Sequence, residues 1–225
     1  MTTEYIYAYT EEDIKSVAEA LRTKIDYSKK LIFPDEFIDK IKNSAEVTVD
    51  QKRVTKELLE GTITSVSNDD VVEVGYKTFY NCTLLTTVTL PNCAYIDSYA
   101  FQGCTTLTTV SLPTVEIIKD NAFKDCAALS TLTLPCAAEL YDSAFINCYS
   151  LQDLILSNPT RICYLESANV FTNCYHITGE INATYNSTGA KDGYIYVPND
   201  LVDSYKAATN WSKFASQIKP LSEYS

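Results

Sequence analysis

Scarcity bounds this chain first. Its 225 residues include one His, one Met, one Trp and only six Gly. The single imidazole, His176, has no Ser or Cys partner placed by a motif, and neither H-E-x-x-H nor a nucleophile elbow occurs. His176 is therefore read as structural, and no enzyme is expected. So few glycines form no phosphate-cradling loop. No apolar run is long enough to cross a bilayer, so no membrane insertion is expected. Lys and Arg total 18 against 29 acidic residues, a net charge of −11, and they do not cluster. That balance argues against nucleic acid and anionic membranes as partners. No C-x-x-C spacing is present, so neither a zinc site nor another cofactor is expected. The opening residues Met1 to Tyr5 have no basic or apolar signal region; a signal peptide is expected to be absent or already removed.

What is abundant is repetition. Phe79-Tyr80-Asn81-Cys82 recurs as Phe101-Gln102-Gly103-Cys104, Phe123-Lys124-Asp125-Cys126, Phe145-Ile146-Asn147-Cys148 and Phe171-Thr172-Asn173-Cys174. The Phe residues are 22, 22, 22 and 26 positions apart. A fixed period of this size signals stacked units, none of which buries its apolar face alone. Three residues after each Cys stands Leu85, Leu107, Leu129 or Leu151. Six after it stands Val88, Val110, Leu132 or Leu154, and eight after it Leu90, Leu112, Leu134 or Leu156. The last two positions read as a short strand of period two, closed by Pro91, Pro113 and Pro135, which cannot extend a ladder. Ile96, Ile118 and Leu140 mark a further inward position, followed by Ala100-Phe101, Ala122-Phe123 and Ala144-Phe145 at a tight corner. Each coil thus turns about seven apolar side chains inward. The five repeat Cys fall in that interior and read as small buried hydrophobes rather than disulfide partners. Cys93, Cys136 and Cys163 lie elsewhere and have no evident shared spacing.

The array has two frayed ends. Ile63, Val66 and Val74 continue the register backwards, but Glu57 and Glu60 replace the repeat Phe and Cys, as a charged cap requires. Forwards, Ser157-Asn158-Pro159-Thr160 stretches the fifth unit, which decays after Ile177. The domain reading is a helical module at 1–46, a connecting segment at 47–59, repeats at 60–181 and a strand–helix cap at 182–225. Residues 11–25 place Ile14, Val17, Ala18, Leu21 and Ile25 on one helical face, Pro34 opens a second helix, and Asp50 a third. At the other end Gly193 to Val197 reads as a strand halted by Pro198, then a helix from Asn199 to Ala208. Trp211, Phe214 and Ile218 continue its apolar stripe across the open end of the array, where an unpaired coil would invite edge association.

The outward positions of the strands carry the candidate ligand face: Thr87, Thr89, Thr109, Ser111, Thr131, Thr133 and Asp153. With strands about 4.8 Å apart these form two hydroxyl columns. Threonine also has high strand propensity and pairs with itself across strands, which explains the columns equally well. Tyrosine is the other excess, at 17 residues. Tyr149 and Tyr175 share the place after the repeat Cys and form a candidate aromatic rim; Tyr80, Tyr95, Tyr99, Tyr141 and Tyr164 fall at variable outward positions. Rings with a polar tip suit sugar or protein contacts.

The unit L-x-x-V-x-L-P…I-x-x-x-A-F-x-x-C resembles the leucine-rich repeat of the BspA-like (Treponema pallidum-type) family over about residues 60–181. The tail from Tyr194 to Trp211 is similar to an end module of its gut-bacterial members. The resemblance implies a leucine-rich-repeat solenoid, a right-handed α/β or mainly-β superhelix with a parallel sheet and small helical end modules. It further implies a concave sheet face that binds partners, and an extracellular or cell-surface protein with adhesin-like recognition of a protein or glycan on a host or bacterial surface. The segment from Val17 to Phe37 resembles a short module of phage tail-associated proteins of Firmicutes. That similarity implies the alternative of a phage or prophage tail component, cytoplasmic before assembly, docking to a virion or to its own copies through the N-terminal helices.

Overall fold

The computed structural model describes residues 63–179, 181–182, 187–188 and 191–224. The expected N-terminal helices, the connecting segment, and the positions of Glu57 and Glu60 lie outside the described residues.

Each coil contributes two short strands and a side built of turns. The first sheet stacks β1 (Ser65–Ser67), β3 (Thr87–Thr89), β5 (Thr109–Ser111), β7 (Thr131–Thr133) and β9 (Asp153–Ile155), all parallel and in order. A second sheet, which the sequence reading does not separate from the first, stacks β2 (Glu73–Val74), β4 (Tyr95–Ile96), β6 (Ile117–Ile118), β8 (Glu139–Leu140) and β10 (Tyr164–Leu165). The 22-residue period sets the register directly, pairing Val66 with Val88 and Val88 with Val110, and Ile96 with Ile118. The chain is therefore a leucine-rich-repeat solenoid, mainly β, with small helices at its C-terminal end.

Ile63, Val66 and Val74 are buried, so the degenerate first unit joins the same core. The expected Leu, Ile, Ala and Phe columns are all buried; Val110 is only partly so, packed against the core's edge. One column escapes the sequence reading. Cys93, Val115 and Ala137 stand one period apart and all face the interior.

The turn side carries two ladders. The Phe rings stack along the array, with centroids 5.0 Å apart from Phe79 to Phe101 and again from Phe101 to Phe123. The spacing widens to 5.6 Å and then 6.0 Å toward Phe145 and Phe171. Beside them the thiols do more than fill space. Cys104, Cys126, Cys148 and Cys174 each donate to the Phe carbonyl of the preceding coil (Phe79, Phe101, Phe123, Phe145) at 3.1–3.2 Å. The buried backbone oxygens thus gain a partner that Ala or Val could not supply. No disulfide joins any of the eight cysteines, and burial pushes the Cys104, Cys126 and Cys148 thiols well above their ordinary range.

The residue before each repeat Cys is left-handed: Asn81, Gly103, Asp125, Asn147 and Asn173 have φ of 58–77°. Only Gly, Asn and Asp adopt that region readily, which accounts for the restricted choice there. Asn147 donates to Asp125 at 2.6 Å and Asn173 to Asn147 at 2.7 Å, so the last three members of the column are bonded in series. A second left-handed position, at Lys77, Tyr99, Asn121 and Ser143, has no such sequence signature.

The insertion at residues 157–160 is absorbed mostly between β9 and β10, and Phe171 and Cys174 still reach their ladders. Beyond them come α1 (Tyr175–Thr178), the antiparallel pair β11 (Ile181–Asn182) and β12 (Ser187–Thr188), then β13 (Tyr194–Val197), α2 (Val202–Ala207) and β14 (Ile218–Pro220). The sequence reading lays this cap across the open end, and Tyr205, Trp211, Phe214 and Ile218 are indeed buried there. What it does not foresee is that β13 and β14 join the first sheet. Strand β13 pairs parallel with β9, and β14 with β13, extending that sheet to seven strands.

Candidate ligand-binding face

The outward residues of the first sheet form two registered columns. One places Thr87 beside Thr109, and Thr131 beside Asp153, which faces Tyr194. The other runs Thr89, Ser111, Thr133, Ile155 and Tyr196. Five strands from β3 to β13 cover about 19 Å at the usual strand spacing. Thr109, Ser111 and Thr133 are exposed, and Thr87, Thr89, Thr131 and Asp153 half-buried. Between β5 and β7 only Ser111 and Thr133 are paired, so the Thr109–Thr131 step is looser than its neighbours. Other hydroxyls are spent on the fold. Thr86, Thr106, Thr108 and Thr114 donate to carbonyls of the preceding coil, at 2.7–3.3 Å.

Sequence reasoning missed the C-terminal third of this face. Tyr194 and Tyr196 share one side of β13, with ring centroids 6.0 Å apart. Tyr224 tilts over Tyr196 at 4.8 Å, itself 44% exposed while Tyr196 is 9% exposed. Lys219 reaches over the Tyr194 ring at 5.6 Å, and its ammonium pairs with Glu223 at 3.0 Å. Burial raises the Asp153 carboxyl above its ordinary value. The Tyr196 phenol is raised by burial first and then by the Asp153 charge. The signal was present in the alternation Tyr194-Ile195-Tyr196-Val197, but the long connection before it conceals which strand it joins.

The proposed rim pair meets as stacked rings, Tyr149 on Tyr175 at 5.2 Å. Tyr175 is nevertheless buried, so only Tyr149 contributes appreciable surface. Tyr164 is exposed, and Tyr80, Tyr95, Tyr99 and Tyr141 are half-buried. Three of these lie against cations. Lys119 sits 3.3 Å from the Tyr141 ring centre, and Lys77 lies 5.2 Å and 5.3 Å from those of Tyr80 and Tyr99.

His176 Nδ1 lies 2.7 Å from Asp192 Oδ1, at the turn where Gly193 donates to the His176 carbonyl. The Cys174 thiol next to it is directed at Phe145. Among the described residues no cluster of His, Cys, Asp and Glu could hold a metal ion, and no helix is long and apolar enough to cross a membrane. The chemistry the face offers is hydroxyl hydrogen bonding, ring stacking and one carboxylate.

The described architecture has recognisable relatives. The BspA-type leucine-rich repeat region matches residues 68–191 in six copies, more than half of the chain. Among solved structures, the leucine-rich repeat protein of T. pallidum is 32% identical, over 49% of this chain and 55% of that one, with a TM-score of 0.45. A leucine-rich repeat protein of Bacteroides ovatus is 18% identical over 80% of this chain and 43% of its own, with a TM-score of 0.48. A leucine-rich cell surface protein of Faecalibacterium prausnitzii is 27% identical over 59% and 41% respectively, with a TM-score of 0.42. The chain thus spans roughly half or less of the length of each. None of the curated proteins matches. The repeat columns, the paired parallel sheets and the matched region agree, and the chain belongs to the BspA-type leucine-rich-repeat family.

Proposed function

We propose that this chain is a non-enzymatic binding protein that engages a protein or glycan partner at a bacterial cell surface, in the manner of an adhesin, through the outward face of its first sheet. One observation carries the reading: the registered columns of Thr, Ser, Asp and Tyr that span β3 to β13 on a single face. Such a surface exposes donors, acceptors and rings over the length of several sugar units or an extended peptide. A solenoid holds it rigid, which lowers the entropy lost on binding.

The test is a glycan and matrix-protein array probed with the native chain and with the double variant Thr109→Lys plus Thr131→Lys. Both substitutions lie on the exposed or half-buried side of the sheet, so folding should survive. Loss of the native hits is the expected result. Hits retained in full by a folded double variant would remove the face from consideration.

A further inference from the structure

We infer that Asp153, Tyr194, Tyr196 and Tyr224 form an anchor for a guanidinium group, so that the partner of the sheet face is a protein presenting an arginine side chain. This rests on the sheet-face reading and narrows it. The four residues come from β9, β13 and the C-terminal turn, and the register brings Asp153 directly beside Tyr194. The Asp153 carboxylate is half-buried, and none of the described Lys or Arg side chains pairs with it. Lys219, which reaches over the Tyr194 ring, is held by Glu223. A partly desolvated carboxylate without a counter-charge is unfavourable until a cation arrives. The buried Tyr196 ring lies 6.0 Å from that of Tyr194 and 4.8 Å from that of Tyr224, and these two outer rings supply the faces on which a cation rests.

Guanidinium fits both halves of this arrangement. Its planar fork meets a carboxylate with two parallel hydrogen bonds, and its flat face stacks on an aromatic ring while carrying charge. An ammonium satisfies only the charge. A sugar ring would stack on the tyrosines but leave the carboxylate uncompensated. The chain's net charge of −11 also favours the approach of a basic surface.

The experiment titrates the full chain with the peptide Ac-Gly-Arg-Gly-amide, its Gln counterpart and maltohexaose, following side-chain and backbone resonances by NMR. The Arg peptide should shift the Tyr194, Tyr196 and Tyr224 rings and the Asp153 amide, and bind about tenfold more tightly than the Gln peptide. Asp153→Asn should remove that tenfold preference while leaving the melting temperature unchanged or higher, because it removes an uncompensated charge. Tyr194→Ala should weaken Arg binding in the same direction. Equal shifts with the Gln peptide, Arg-induced shifts confined to other surfaces, or perturbation by maltohexaose alone would overturn the anchor. The two readings separate cleanly. Array hits abolished by Thr109→Lys plus Thr131→Lys yet indifferent to Asp153→Asn leave the face standing without its anchor, whereas hits indifferent to all three changes dismiss both.

Discussion

The two sheets of this solenoid end in different ways. At the C-terminal end of the first, the chain returns after α1 and lays down β13 and then β14, so the ladder continues through backbone hydrogen bonds. At the same end of the second, β10 receives no further strand among the described residues, and side chains take over. The Cys163 N–H donates to the Tyr205 hydroxyl at 2.9 Å, and Trp211 Nε1–H donates to the Cys163 carbonyl at 2.7 Å. Asn210 donates to the carbonyls of Leu165 and Glu166 at 2.9 and 2.8 Å. Both devices meet the same requirement, that an edge should not offer unpaired backbone to another chain. Their consequences differ. Added strands lengthen the outward face and bring Tyr194 and Tyr196 into register with Asp153 and Ile155, so the first sheet gains recognition surface. Side-chain capping closes the second sheet with buried rings and adds none.

The comparison is broken most severely at Trp211. Its ring is buried against Tyr205 at 5.3 Å and Phe171 at 6.0 Å, so it caps the Phe ladder as well as the strand edge. Trp211→Ala should cost about 3–5 kcal/mol of unfolding free energy, measured by urea denaturation. Trp211→Phe keeps most of the volume and strands the Cys163 carbonyl, at about 1–3 kcal/mol. If Trp211→Phe were as stable as the native chain, the hydrogen bond would have no part in closing the second sheet.

The matching break in the first sheet is Gly193, where the chain slips between Gln152 and His176 to start β13. A Cβ there would stand 2.7 Å from the Gln152 carbonyl oxygen and 2.9 Å from His176 Cβ. The neighbours are backbone and a side-chain root, so neither yields easily. Gly193→Ala should destabilise by about 1–3 kcal/mol, of the order seen for overpacking, and should loosen β13 before the coils. Hydrogen exchange at Tyr194 and Tyr196 is the readout: faster exchange there with unchanged protection at Val88 and Ile118 is expected. Uniform acceleration would mean that β13 and the coils open as one unit.

Different parts of this architecture differ in how much of themselves they write into the chain. The Phe, Leu and Cys columns are legible because each recurs at a fixed interval, and burial follows from periodicity alone. The second sheet is not, because strands of two residues such as Tyr95–Ile96 are too short to display alternation. The role of the thiols is hidden for another reason: a buried Cys reads as a small hydrophobe until the carbonyl it faces is located. The hydroxyl half of the candidate face is legible from Thr87 to Asp153. Its aromatic half is not, since joining Tyr194 to Asp153 depends on a pairing across about forty residues that depart from the 22-residue period.

The turn side of the coils stands between these two cases, since its backbone is bonded from coil to coil without strands. There Cys126 tests the thiol ladder. Cys126→Ala removes one of two donors to the Phe101 carbonyl, leaving the Cys104 N–H, and opens a small void in a fully buried column. About 1–2 kcal/mol of destabilisation is expected from denaturant curves. A neutral result would return the thiols to simple packing.

Asn147 gives the smallest and most separable effect. It holds φ at 63°, donates to Asp125 and accepts from Asn173. Asn147→Gly loses both side-chain bonds but adopts the same backbone freely; Asn147→Ala loses the bonds and must also bear the left-handed conformation. The bonds are half-buried and partly replaced by water, so Asn147→Gly should cost about 1 kcal/mol. The further loss in Asn147→Ala should be about 1–2 kcal/mol, the penalty for a Cβ in that region. Gly103 occupies the equivalent place two coils back, with φ of 77°, and already dispenses with the side chain. If Ala and Gly at 147 proved equally stable, backbone handedness would not be what selects Asn, Asp and Gly before each repeat Cys, and the side-chain ladder alone would have to explain the choice, which Gly103 contradicts.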